Sequence, residues 1–106
     1  MPNTLQTVVR GAHLHDYKDR MGTLKFGTSL VLRPEPNNEY DPNAVLVLTK
    51  GGAKIGYIPR EQAPYVQKIL NAGFPVGCVV DHVNVSQKLV RISLQLPEVS
   101  GTKSEE

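Results

Sequence analysis

The chain has 106 residues, of which 40% are hydrophobic and 21% are charged, a size and composition that favour one globular domain and exclude two independent cores. Its formal net charge of +2, from 12 Lys and Arg against 10 Asp and Glu, is too small to identify a nucleic-acid binder by itself. No apolar run approaches the roughly 20 residues of a membrane span, and no secretion signal opens the chain. We therefore expect no membrane partner, and a cytoplasmic, nucleoid-associated location in a bacterium or a nuclear one in a eukaryote.

The first third of the chain predicts two strands separated by a polar connection. β-Branched residues favour a short strand at residues 7–9, and residues 29–33 favour a second. Residues 34–42 follow with three prolines and two adjacent asparagines. Because proline cannot propagate a sheet, this segment predicts an ordered, turn-rich loop, and such loops often carry function.

The middle of the chain predicts a hairpin. Residues 44–49 form a nearly continuous apolar run, and residues 54–58 form a second strand-like segment. Gly51 and Gly52 lie between them and supply the positive backbone dihedrals that a tight turn requires. We therefore expect a β-hairpin over residues 44–58.

The remainder predicts one helix and a second hairpin. Apolar residues recur at helical spacing over residues 61–72, with Pro64 in the first turn and Gly73 as the stop. Residues 77–85 and 88–96 then alternate as two strands. The lone Cys78 has no intrachain cysteine partner, which excludes an intrachain disulfide.

About six short strands and one principal helix favour a mainly β fold, a small antiparallel barrel with the helix across one end. The expected organisation is a flexible N-terminus at residues 1–6, one barrel domain at residues 7–97, and a disordered tail at residues 98–106.

Two motifs resemble the HIRAN family: residues 32–45, LRPEPNNEYDPNAV, and residues 54–60, KIGYIPR. The similarity extends over residues 7–72, with Pro34 as a small departure from the family pattern. It implies an OB-like barrel that is not an enzyme. It also implies binding of single-stranded DNA at a free 3′-hydroxyl end or at damaged or stalled-fork DNA, with a helicase or nuclease as partner, in repair or replication.

The resemblance places Tyr40 and Asp41 at the family's end-binding pair. A carboxylate at Asp41 can accept the terminal hydroxyl and repel a phosphate in the same place, although Asp also commonly caps loops. Tyr40 offers a face on which an unpaired base can stack. Tyr57 offers another, unless it is a half-buried barrel residue with its hydroxyl at the surface.

Arg60 precedes the predicted helix, whose N-terminus would favour a phosphate beside it; the alternative is an exposed salt bridge of little energetic value. His13 lies where larger relatives carry a basic residue. With Asn38 from the first motif, these residues complete the candidate DNA-binding set. Asn43 is expected to brace the loop instead.

Other functions are open at this point. His13 and His15 are spaced for a metal site, but the sequence supplies no nearby third ligand, so neither a metal nor another cofactor is expected. A nuclease using Asp41 with one of these histidines lacks the clustered carboxylates that metal-dependent phosphoryl transfer requires. The main alternative is a protein-interaction barrel whose residues 38–41 grip a peptide C-terminus or a partner subunit.

Overall fold

The computed structural model describes residues 3–11, 24–84, 86–87 and 89–97. Within this part of the chain there are six strands and one helix. In chain order they are β1 (Asn3–Val8), β2 (Ser29–Pro34), β3 (Val45–Thr49), β4 (Lys54–Tyr57), α1 (Ala63–Asn71), β5 (Gly77–Asn84) and β6 (Leu89–Leu96). The predicted mainly β fold with one principal helix is confirmed.

The strands form one antiparallel sheet in the order β1-β6-β5-β2-β3-β4. The sheet curls until its two edges meet. There Arg10, just after β1, and Tyr57, at the end of β4, each donate a backbone N–H to the other's carbonyl at 2.7 Å. The result is a curled half-barrel pinned at one point, consistent with the predicted OB-like architecture.

Glycine and asparagine account for the two hairpin turns. Gly52 has a φ of 95° between β3 and β4, a conformation that side chains with a Cβ rarely adopt. Between β5 and β6, the Asn84 side-chain oxygen accepts the hydroxyl of Ser86 and the backbone N–H of Gln87. Both predicted hairpins are therefore present.

The core fills the concave side of the sheet and is closed by one face of α1. Strand β3 is buried over four successive residues, as its continuous apolar run predicts. The buried cluster consists of Val9, Leu24, Leu30, Val45, Val47, Ile55, Ile58, Ala63, Val66, Ile69, Cys78, Val80, Val90, Ile92, Leu94 and Leu96. Among the described residues, no helix has the length and apolar character needed to cross a bilayer.

Two boundaries differ from the prediction. Strand β1 begins at Asn3, so residues 3–6, expected to be a flexible lead-in, instead pair with β6. Only Leu5 among them is apolar, so the sequence lacks the apolar alternation that indicates a strand. Helix α1 begins at Ala63 rather than at residue 61. The residues before it form a turn in which the N–H groups of Gln62 and Ala63 donate to the carbonyl of Pro59. The expected disordered tail at residues 98–106 lies outside the described residues.

The closure of the sheet depends on Gly56. A Cβ at this position would clash with the carbonyl oxygen of Arg10 and the Cγ1 of Val9. Gly56→Ala should therefore lower the free energy of unfolding by about 1–3 kcal/mol, measured by urea denaturation. Gly51→Ala is the matched control, because its nearest neighbour would be the Thr49 hydroxyl oxygen at 3.8 Å. Equal stabilities of the two variants would contradict a close approach at Gly56.

Candidate functional site

A cleft of about 610 Å³ opens beside the point where the sheet closes. It lies between residues 38–41 of the turn-rich loop, the end of β4 and the turn that leads into α1. Its lining residues are Arg10, Asn38, Tyr40, Asp41, Ala44, Tyr57, Ile58, Arg60 and Glu61. Five of the six predicted site residues thus converge on one cleft, and the sixth, His13, lies outside the described residues.

Asn38 braces the loop from within. Its side-chain oxygen accepts the backbone N–H groups of Tyr40 at 2.8 Å and Asp41 at 3.0 Å, and its amide nitrogen donates to Glu35 at 3.1 Å. The sequence predicts this bracing role for Asn43, whose own backbone N–H donates to Asp41. The polar atoms of the Asn38 side chain are therefore bonded within the loop, where they hold the backbone of Tyr40 and Asp41 in place.

Tyr40 projects from this braced loop into solvent and is 84% exposed. An exposed aromatic ring offers a flat face on which an unpaired base can stack. The backbone beneath Tyr40 is held by Asn38. The ring is therefore available for stacking from an ordered position.

The two carboxylate oxygens of Asp41 have different surroundings. Oδ1 accepts the backbone N–H of Asn43 at 2.9 Å, so the loop-capping interpretation is correct for this atom. Oδ2 lies 3.7 Å from Nε of Arg60, and the Asp41 side chain is only 20% exposed. One oxygen shapes the loop while the other faces the cleft.

Arg60 is 80% exposed and lies three residues before α1. Arg60 does not adjoin the first residue of the helix as predicted, and it forms the ion pair with a loop acid that was the alternative interpretation, with Asp41 as its partner. The N–H groups of Gln62 and Ala63 both donate to the carbonyl of Pro59, and Pro64 has no N–H to offer. The guanidinium of Arg60 places a positive charge at this rim of the cleft.

Tyr57 is half-buried and forms the floor of the cleft. Its hydroxyl donates to Oε1 of Glu35 at 2.9 Å, and its partial burial agrees with the alternative of a half-buried barrel residue. Burial, followed by the hydrogen bond to Glu35 and the charge of that carboxylate, raises the pKa of Tyr57 above its ordinary value. The phenol consequently stays neutral and keeps Glu35, and through it Asn38, in place.

Two contributors are missed by the sequence prediction. Gln67 of α1 is buried, and its amide nitrogen donates to the carbonyls of Pro42 at 2.9 Å and Ala44 at 3.4 Å, which ties the loop to the helix. A glutamine on the apolar face of an amphipathic helix is the signal that identifies it. Arg10 enters the cleft only through the barrel closure, a contact that local sequence does not encode.

The chain matches a known protein family. The HIRAN domain model matches residues 3–96. The chain belongs to the HIRAN family. HIRAN domains are known as DNA-binding domains and occur with nuclease or remodeller domains, which makes the cleft of this HIRAN chain a candidate nucleic-acid interface.

A curated relative and two solved structures are similar to this HIRAN chain. It is 32% identical over 96 residues to the Fanconi-associated nuclease 1 homolog of Oryza sativa subsp. japonica, over 79% of this chain and 10% of that protein. The chain thus spans about a tenth of that relative's length.

The crystal structure of a Lactobacillus plantarum protein matches with a TM-score of 0.78 at 24% identity, over 92% of this chain and 100% of that one. The crystal structure of the HIRAN domain of human HLTF matches with a TM-score of 0.73 at 21% identity, over 89% of this chain and 74% of that one. Both likenesses show a shared fold.

Among residues 3–11, 24–84, 86–87 and 89–97, no three His, Cys, Asp or Glu side chains are grouped to hold an ion. The weak metal signal at His13 and His15 falls outside those ranges.

The Tyr57–Glu35 contact predicts a measurable titration. In ¹³C NMR of tyrosine ζ-carbons, Tyr57 should titrate above its ordinary value of 10.0, and Glu35→Gln should lower that midpoint because it removes the negative charge but keeps an acceptor. Since the folded-state pKa is raised, the stability from this contact is complete below pH of about 10 and is lost as the pH rises through the folded value. Glu39→Gln, in the same loop, is the control; an unchanged midpoint in Glu35→Gln would contradict the assignment.

Proposed function

We propose that the chain binds single-stranded DNA at a free 3′-hydroxyl end in this cleft and directs a repair or replication activity to such ends. The observation that carries the proposal is the juxtaposition of Asp41 Oδ2 and Arg60 Nε at 3.7 Å on one rim. A strand end presents a hydroxyl close to a phosphodiester, so a reader of ends needs an acceptor beside a cation. The cleft supplies both.

Asp41 supplies the discrimination. Its Oδ2 accepts the terminal hydroxyl, and its charge repels the phosphate that a continuous or 3′-phosphorylated strand would place there. The low exposure of this side chain, 20%, reduces screening of that repulsion by water. Because Oδ1 is held by the backbone of Asn43, the carboxylate does not have to be ordered when DNA binds.

Arg60 and the two tyrosines supply affinity. Arg60 is exposed and contacts the phosphate that precedes the end, since its pairing with Asp41 is too long for a hydrogen bond. Tyr40 stacks on a base from the loop, and Tyr57 lies against the sugar or base at the floor of the cleft. Stacking does not depend on base identity, so the proposed interface reads an end rather than a sequence.

The chain acts in this proposal as a binding module and not as an enzyme. The similar rice protein is named as a nuclease, and the aligned stretch is 10% of it. By analogy, the module brings a nuclease or helicase partner to DNA ends and leaves the chemistry to that partner.

End recognition is tested by comparing two oligonucleotides that differ only in a 3′-hydroxyl or 3′-phosphate. Fluorescence anisotropy should show the hydroxyl form binding about tenfold more tightly or better. Asp41→Asn should shrink that ratio, because an asparagine oxygen can still accept the Asn43 N–H while the charge is lost. Glu39→Gln, an exposed acid in the same loop, should preserve the ratio. Equal affinities for the two oligonucleotides in the unsubstituted protein would refute end recognition.

Phosphate contact is tested separately through salt dependence. Arg60→Ala should weaken both oligonucleotides and reduce the slope of log affinity against log salt by roughly 0.7 to 1 unit, as one lost phosphate contact requires. Lys68→Ala, an exposed cation of α1 outside the cleft, serves as the control and should leave the slope unchanged. Binding that is insensitive to salt would favour the protein-interaction alternative.

A further inference from the structure

A second groove of about 700 Å³ adjoins the cleft. Its lining residues are Gln6, Thr7, Val8, Arg10, Phe26, Pro59, Glu61, Gln62, Asp81 and Arg91. Arg10 and Glu61 line both spaces, so the groove continues the cleft past the point where the sheet closes. A chain-like ligand bound in the cleft can therefore extend into it.

The wall of this groove carries polar and cationic side chains along a strand. Gln6, Val8 and Arg10 are alternate residues, and alternate residues of a strand share one face. Arg91 lies directly opposite Val8 in the β1–β6 register, so it belongs to the same face. Two exposed guanidiniums, those of Arg10 and Arg91, thus follow one another along the route away from the cleft.

Phe26 also lines this groove and is 83% exposed. It occupies a tight turn in which Thr28 donates to the Lys25 carbonyl at 2.9 Å and Gly27 has a φ of 87°. The N–H of Gly27 also donates to the Val80 carbonyl at 2.7 Å. An apolar ring held in solvent by a hydrogen-bonded turn is pre-positioned for a planar partner.

We propose that this groove binds the nucleotides on the 5′ side of the strand end held in the cleft. The inference rests on the proposed function and extends it to the path of the strand. Phe26 stacks on a base, Arg10 contacts the phosphate at the junction, and Arg91 contacts a phosphate further along. The acids Glu61 and Asp81 offset the two arginines, so stacking on Phe26 supplies much of the affinity in this groove.

The test compares an unlabelled dinucleotide with an octanucleotide, both with a free 3′-hydroxyl, as competitors of a labelled octanucleotide. The octanucleotide should bind more tightly. Phe26→Ala should weaken the octanucleotide by about fivefold or more and leave the dinucleotide unchanged. Arg91→Ala should lower the salt slope for the octanucleotide by roughly 0.7 to 1 unit.

Matched controls are Phe74→Ala and Arg33→Ala, an exposed aromatic and an exposed cation that line neither space. If the dinucleotide binds and the octanucleotide binds no more tightly, or if Phe26→Ala weakens both alike, the strand path is overturned while end recognition stands. If neither oligonucleotide competes, the proposed function itself fails. An apolar peptide that binds in the groove and loses affinity in Phe26→Ala would assign the groove to a protein partner and overturn the strand path.

Discussion

Two backbone hydrogen bonds between Arg10 and Tyr57 join the edges of the sheet, and the candidate site is assembled around them. They form because Gly56 lets the chain after β1 approach β4 within the space that any Cβ would occupy. The bridge places Tyr57 at the floor of the cleft and Arg10 at its inner end. The second groove begins on the far side of the same arginine. The contact that closes the sheet therefore also lines the site.

The loop that faces this closure is ordered from three directions. Asn38 binds its backbone from within, Glu35 links it to the Tyr57 hydroxyl, and Gln67 attaches its far end to α1. Each contact restricts the conformational freedom of the backbone or of a side chain before a ligand binds. A site ordered in advance spends less of its interaction energy on immobilising its own groups. A proline-rich segment with little regular structure can thereby present Tyr40 in a defined position.

The two carboxylate oxygens of Asp41 have separate roles. Asp41 uses one oxygen to hold the turn and directs the other at Arg60. The capping and ligand-binding interpretations of this residue are usually alternatives, but here they apply to different atoms of the same carboxylate. The oxygen held by Asn43 therefore orients the one that faces Arg60.

The sequence by itself determined the local elements of this protein: both hairpins, the helix and the turn-rich loop. Glycine, proline and the spacing of apolar residues act on the backbone over a few residues, so they predict these elements without knowledge of the fold. The motif in residues 32–45 likewise identified the family and the loop that lines the cleft. Only the tertiary structure decided the pairing of residues 3–6 with β6, because these mostly polar residues gain their strand conformation from partners about 90 residues away. The choice of Asn38 rather than Asn43 as the brace depends on the local geometry of the turn, because the partners of Asn38 lie within three residues of it. The tertiary structure also brought Arg10 and Gln67 to the site, since their partners Tyr57 and Pro42 are distant in the sequence and come close only in the folded chain.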